Sequence, residues 1–134
     1  MLDRYGREID YIRISVTDRC NFRCIYCMPE EGVPMVPHQE ILSYDEITEL
    51  AEIFADLGIR KIKLTGGEPL VRRGLPSLVK KLKSVRGIEK VTLTTNGVFL
   101  ADLLGELKEA GIDGINLSLD TLDPEVFARI TRRR

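Results

Sequence analysis

Residues 59–69, Ile59-Arg60-Lys61-Ile62-Lys63-Leu64-Thr65-Gly66-Gly67-Glu68-Pro69, decide the fold. Ile59–Leu64 is an apolar, strand-like run, and a glycine-rich turn follows it. A helix is then predicted from about Pro76, a good first-turn residue, through Val79 and Leu82 to Val85, with Gly87 just beyond. The same unit recurs on both sides. Further strand-like runs occur at Tyr11–Val16, Ile88–Leu93 and Ile112–Leu119. Ile47, Leu50, Ala51, Phe54 and Leu57 share one helical face, with Ser43 and Glu46 as a capping box and Gly58 as a C-terminal cap. A third helix carries Leu100, Leu103, Leu104, Leu107 and Ala110 before Gly111. A fourth begins at Asp123-Pro124, with Val126, Phe127 and Ile130 on it.

Strand–helix alternation with short connections means parallel strands joined by right-handed crossovers. A barrel and an open doubly wound sheet both satisfy that rule. An eight-fold barrel takes about 250 residues, so four units make part of one. The expected class is α/β, a partial (βα) barrel of about four units. Its outer strands would show unpaired edges, so the chain is expected to be a fragment or to need a partner.

The bulk numbers narrow the function classes. The chain has 134 residues, 43% of them hydrophobic and 31% charged, which is ordinary for a soluble protein. A formal net charge of −1 gives no field for nucleic acid or an anionic membrane. The run Arg132-Arg133-Arg134 reads as solvated. No apolar stretch approaches the roughly 20 residues of a membrane span, and Met1–Arg7 lacks the apolar core of a secretory signal. A cytoplasmic location is expected. There thiols stay reduced, and the three cysteines lie within eight consecutive residues, so metal or redox chemistry outranks a disulfide framework. Between Cys27 and the first helix runs a long, proline-punctuated loop holding His38, which is assigned no role.

Position supplies the strongest signal. Cys20–Cys27 follows the first strand, Thr65–Pro69 the second, Thr94-Thr95-Asn96-Gly97 the third, and Ser118-Leu119-Asp120-Thr121 closes the fourth. Ligands of parallel α/β sheets bind at the carboxyl ends of the strands. Cys20, Cys24 and Cys27 would also share one helix face as small core residues, yet they follow a strand and are flanked by Asp18-Arg19 and Met28-Pro29. Cys24 and Cys27 alone fit a redox dithiol. A structural zinc would want a fourth ligand, for which only His38 is at hand. Three thiolates suit an iron–sulfur cube with one iron left open. Gly66 and Gly67 would let backbone approach a ligand with free amides, and Glu68 would pair with an ammonium group. The Thr94–Gly97 segment would serve equally as a plain turn. Ser118 and Asp120 point away from Leu117 and Leu119, toward the interior of a barrel.

At these residues the sequence resembles the radical S-adenosylmethionine superfamily, whose cluster motif is C-x3-C-x2-C with an aromatic before the last cysteine, here Tyr26. Ser15–Pro29, Gly66–Arg73, Leu93–Gly97 and Asn116–Pro124 resemble its GTP-cyclising branch in molybdenum cofactor biosynthesis. The resemblance implies a 4Fe–4S cluster on Cys20, Cys24 and Cys27, and S-adenosyl-L-methionine on the open iron. It assigns that cofactor to Tyr26, Gly66, Gly67, Glu68 and Ser118, and GTP to Arg13, Lys63 and Thr94. The family commonly has arginine at Lys63; lysine keeps the charge and loses the planar fork. The implied chemistry is reductive cleavage of the sulfonium by an electron donor. Hydrogen is then lost from the 3′ carbon of GTP, and that carbon attacks C8 of guanine. The family also has further barrel strands and a C-terminal second cluster, expected to be absent from residues 1–134. A homodimer or a complementing half would complete the barrel. Other radical enzymes, of peptide-modifying or activating type, share the generic motifs, and an inactive cluster-binding fragment is the third reading.

Overall fold

Four strands pair in parallel in chain order: β1 (Tyr11–Ser15), β2 (Lys61–Thr65), β3 (Lys90–Thr95) and β4 (Gly114–Leu117). They come from a computed structural model that describes residues 2–133. A doubly wound sheet reverses its order beside the first strand. Here the order is β1-β2-β3-β4, so successive crossovers build in one direction. This is the partial-barrel arrangement.

Each crossover carries a helix: α1 (Tyr44–Asp56), α2 (Leu75–Ser84) and α3 (Leu100–Glu109), with α4 (Pro124–Thr131) after β4. Alternation along the strands sorts their side chains. Ile62, Leu64, Val91 and Leu93 are fully buried against Leu75, Leu78, Val79, Leu82 and Ile47. The intervening Lys61, Lys63, Thr65, Thr92 and Thr94 are only half-buried, so the other sheet face is polar.

Local signals explain the boundaries. Ser43 accepts from the Glu46 amide while the Glu46 carboxylate accepts from the Ser43 amide, and Asp123 caps α4 in a similar role. β1 begins at Tyr11 as expected, whereas β2, β3 and β4 begin two residues later than the apolar runs suggest. After α1, Gly58 N–H donates to Ala55 and Ile59 N–H to Phe54; after α3, Gly111 donates to Lys108 and Ile112 to Leu107. Ile59 and Ile112 are thus spent closing helices before the sheet starts. Leu117 and Leu119, expected opposite the interior, are exposed, because β4 stops at Leu117 and has no strand beyond it. The loop after Cys27 holds only a short 3-10 turn at His38–Glu40, and His38 is exposed. Among the described residues no helix is long and apolar enough to cross a membrane. Arg134 of the terminal arginine run lies outside the described residues.

Candidate functional site

The segment from Cys20 to Cys27 is not helical, so a shared helix face does not explain its cysteines. Val16 N–H donates to Thr65 and continues the β1–β2 pairing up to the loop. The loop then turns on itself, with Cys27 and Met28 N–H both donating to the Cys24 carbonyl and Phe22 N–H donating to Cys20 Sγ at 3.4 Å. All three thiols are unpaired by disulfides, with Cys20 and Cys24 half-buried and Cys27 exposed.

They line one cavity of about 170 Å³, whose wall also takes Tyr26, Gly67, Glu68, Thr94 and Ser118. Four strand ends therefore meet at one point. Burial pushes the Cys24 thiol up; Tyr26 hydrogen bonding opposes this, and the charges of Cys20 and Cys27 push it further up. The sulfurs thus feel one another. Among the described residues, no three His, Cys, Asp or Glu side chains converge tightly enough for a single ion. Three free thiols with no histidine beside them in the cavity wall are the donor set of a cube with one iron left open, so these residues fit a cluster.

The rest of the wall is braced by hydrogen bonds. Gly67 N–H donates to Thr17 at 2.7 Å and Glu68 N–H to Arg19 at 2.8 Å, so these amides tie the two loops together instead of waiting for a ligand. A Cβ at Gly66 would sit 2.5 Å from the Thr17 carbonyl oxygen, and one at Gly67 would meet the Arg19 carbonyl, so both glycines are required by close loop approach. Glu68 is 2% exposed. Its carboxylate accepts from Leu70 N–H, Thr95 O–H and Asn96 N–H, and the residue also contributes to the wall of the sulfur cavity. Asn96 in turn donates to Asn21 at 2.8 Å, reaching the cysteine loop.

Tyr26 is exposed, and its hydroxyl donates to Asp120 Oδ2 at 2.7 Å. That bond, with burial second, holds its phenol well above the usual range. Ser118 lies just past β4. Arg13 and Lys63 are register partners on β1 and β2, on the polar face that Thr94 shares. Arg13 Nε donates to Tyr11 Oη and Lys63 Nζ to Asn116 Oδ1. Neither Arg13, Lys63 nor Gly66 lines the sulfur cavity. A larger cavity, about 630 Å³, opens between Thr17, His38, Tyr44 and Arg72 and contains none of the expected site residues. Convergent chemistry, not size, marks the candidate site.

A family profile described as the Radical SAM superfamily matches residues 14–134. The chain belongs to the radical SAM superfamily. Curated relatives include a GTP 3′,8-cyclase of Petrotoga mobilis, 52% identical over 133 residues that cover 99% of this chain and 41% of the relative. Another from Pelotomaculum thermopropionicum is 55% identical over 132 residues, covering 98% and 41%. This radical SAM chain therefore spans about two fifths of the length of those relatives. Among solved structures it resembles BtrN in complex with AdoMet and 2-DOIA, with a TM-score of 0.64 at 22% identity, covering 92% of this chain and 51% of that one. That likeness speaks to the fold.

Sequence reasoning named most of this radical SAM cavity because its members follow strand ends. It turned Asp120 to this interior beside Ser118 and placed Asn21 and Asn96 inside two of the converging segments without roles of their own, and it missed the α4 residues Phe127 and Thr131, which also contribute to the site. Phe127 and Thr131 reach the cavity only because α4 folds back on the cysteine loop, across more than 90 residues of sequence.

Proposed function

We propose that this chain is the cluster-bearing part of a GTP 3′,8-cyclase. Cys20, Cys24 and Cys27 would hold a 4Fe–4S cluster, leaving one iron for S-adenosyl-L-methionine. When bound, these groups supply one-electron cleavage of the sulfonium, which starts hydrogen removal from the substrate. The chain's own residues orient and enclose. Gly67 presents backbone at the methionyl end, Tyr26 offers its ring to adenine, and Ser118 its hydroxyl to ribose. Glu68 acts as a brace, keeping the loops after β2 and β3 at fixed separation. Arg13, Lys63 and Thr94 share the polar sheet face, where two adjacent cations suit a triphosphate.

The observation that carries this reading is the meeting of Cys20, Cys24, Cys27, Gly67, Thr94 and Ser118, from four strand ends, at one cavity. The identity to GTP 3′,8-cyclases supports GTP as the substrate. Anaerobic reconstitution is expected to give about four irons per chain and a paramagnetic signal on reduction, both lost in Cys24→Ala. Stoichiometric zinc in place of iron overturns the reading.

A further inference from the structure

The cysteine loop poses a hydrogen-bond problem. A loop without regular pairing still carries one carbonyl per residue, and each needs a donor or solvent. The Phe22 amide is turned toward Cys20 Sγ, and the Cys24 carbonyl is met from within the loop, which leaves the carbonyls of Cys20, Asn21, Phe22, Arg23 and Met28. Three guanidinium groups meet them. Arg23 Nη1 donates to the Cys20 and Phe22 carbonyls, both at 2.8 Å. Arg132 Nη1 donates to Arg23 at 3.3 Å and Met28 at 3.2 Å, and Arg133 Nε donates to Asn21 at 2.9 Å.

Two of these arginines belong to the run read from sequence as solvated. They come from the end of α4, which docks on the loop by other means too. Arg23 N–H donates to the Thr131 carbonyl and Ile25 N–H to Ile130, while Phe127 meets Phe22 edge-on with ring centroids 5.6 Å apart. Arg132 adopts φ 53°, the left-handed conformation, and is the one non-glycine residue with positive φ among the described residues. Glycine is the usual residue at such a helix end. An arginine that accepts this backbone places its side chain across the loop.

We infer that Arg132 and Arg133, with Arg23, form a guanidinium clamp that positions the cysteine loop. They are positioning residues, acting on carbonyls and not on the sulfurs. That the loop holds a cluster rests on the function proposed above, whereas the clamp itself does not.

Two measurements on the full chain separate these claims. In the metal-free chain, amide hydrogen exchange at Arg23 and Ile25 should quicken about tenfold in Arg132→Gly/Arg133→Gln. Thermal unfolding of Arg132→Gly alone should occur no earlier than in the parent, because glycine suits that backbone. In the reconstituted chain, the double variant should lose iron to a chelator about tenfold faster, with an altered paramagnetic spectrum. Arg132→Lys should restore part of the retention, and Arg129→Gln, which removes a charge from the same helix away from the loop, should change nothing. Unchanged exchange in the double variant overturns the clamp. If exchange quickens but the parent chain takes up no iron, the clamp stands and the cluster reading falls.

Discussion

Glu68 is buried without an ion-pair partner among the described residues, and its charge is balanced by two N–H donors and one hydroxyl. Hydrogen bonds to a charged acceptor are worth about 1.5–3 kcal/mol each, and an unmet buried group costs a similar amount. Glu68→Gln keeps the shape but turns an NH2 group toward donors. Its urea unfolding midpoint should fall by the equivalent of about 2–3 kcal/mol, and a change below about 0.5 kcal/mol would sink this account. Thr95→Val removes the donor to Glu68 and the acceptor of Gly97 N–H. It should cost about 1–2 kcal/mol in the same titration. This brace was invisible in sequence for a physical reason. Thr95 and Asn96 lie 27 and 28 residues from Glu68 and meet it only because parallel pairing lays β3 beside β2.

Among the elements, helices were legible because their signals are local: a capping box at Ser43, glycines at 58, 87 and 111, and proline in the first turn of α2 and α4. Strand starts were less so, since closure of the preceding helix consumes the first apolar residue. The joins between elements carry two predictions. Gly66 holds φ 152° against the Thr17 carbonyl. Gly66→Ala should lower stability by on the order of 2–3 kcal/mol and separate the β2 turn from the cysteine loop, read by calorimetry together with loss of iron uptake. Asp113 joins β4 to its neighbours, accepting from Lys83 Nζ at 2.8 Å and Val91 N–H at 2.7 Å. Burial works against its charge, yet these donors outweigh it and hold its carboxyl below the usual value. A carboxylate depressed in the folded state stabilises above its unfolded pKa, near 3.9, and that contribution disappears as pH falls through the folded value. Stability measured by urea titration should therefore drop below about pH 4, and Asp113→Asn should flatten that drop while lowering stability at neutral pH.

At the scale of the molecule, the two rims of the sheet differ. Parallel strands leave a row of N–H and C=O groups on each outer edge, and proteins guard such edges with charge or cover. On β1 the guard is visible: Arg13 sits mid-strand, and the Leu2–Glu8 bridge folds the N-terminal segment back on itself. On β4 there is none. Asn116 is its one polar side chain, and beyond it Leu117, Leu119 and Leu122 are exposed, the last at 88%. An unpaired edge beside apolar side chains is the arrangement that pairs with whatever strand arrives. The chain by itself should therefore associate through β4: sedimentation equilibrium up to roughly 100 µM should show a mass rising above 15.2 kDa with concentration. Leu119→Lys with Leu122→Lys should hold it near that mass, because two cations beside the edge restore the guard that β1 has. Charge placed instead on another exposed apolar residue, as Ile53→Lys on α1, should leave the association unchanged. A parent chain that stays monomeric throughout would mean that the β4 rim is covered from within, and its leucines would then have to be packed in solution.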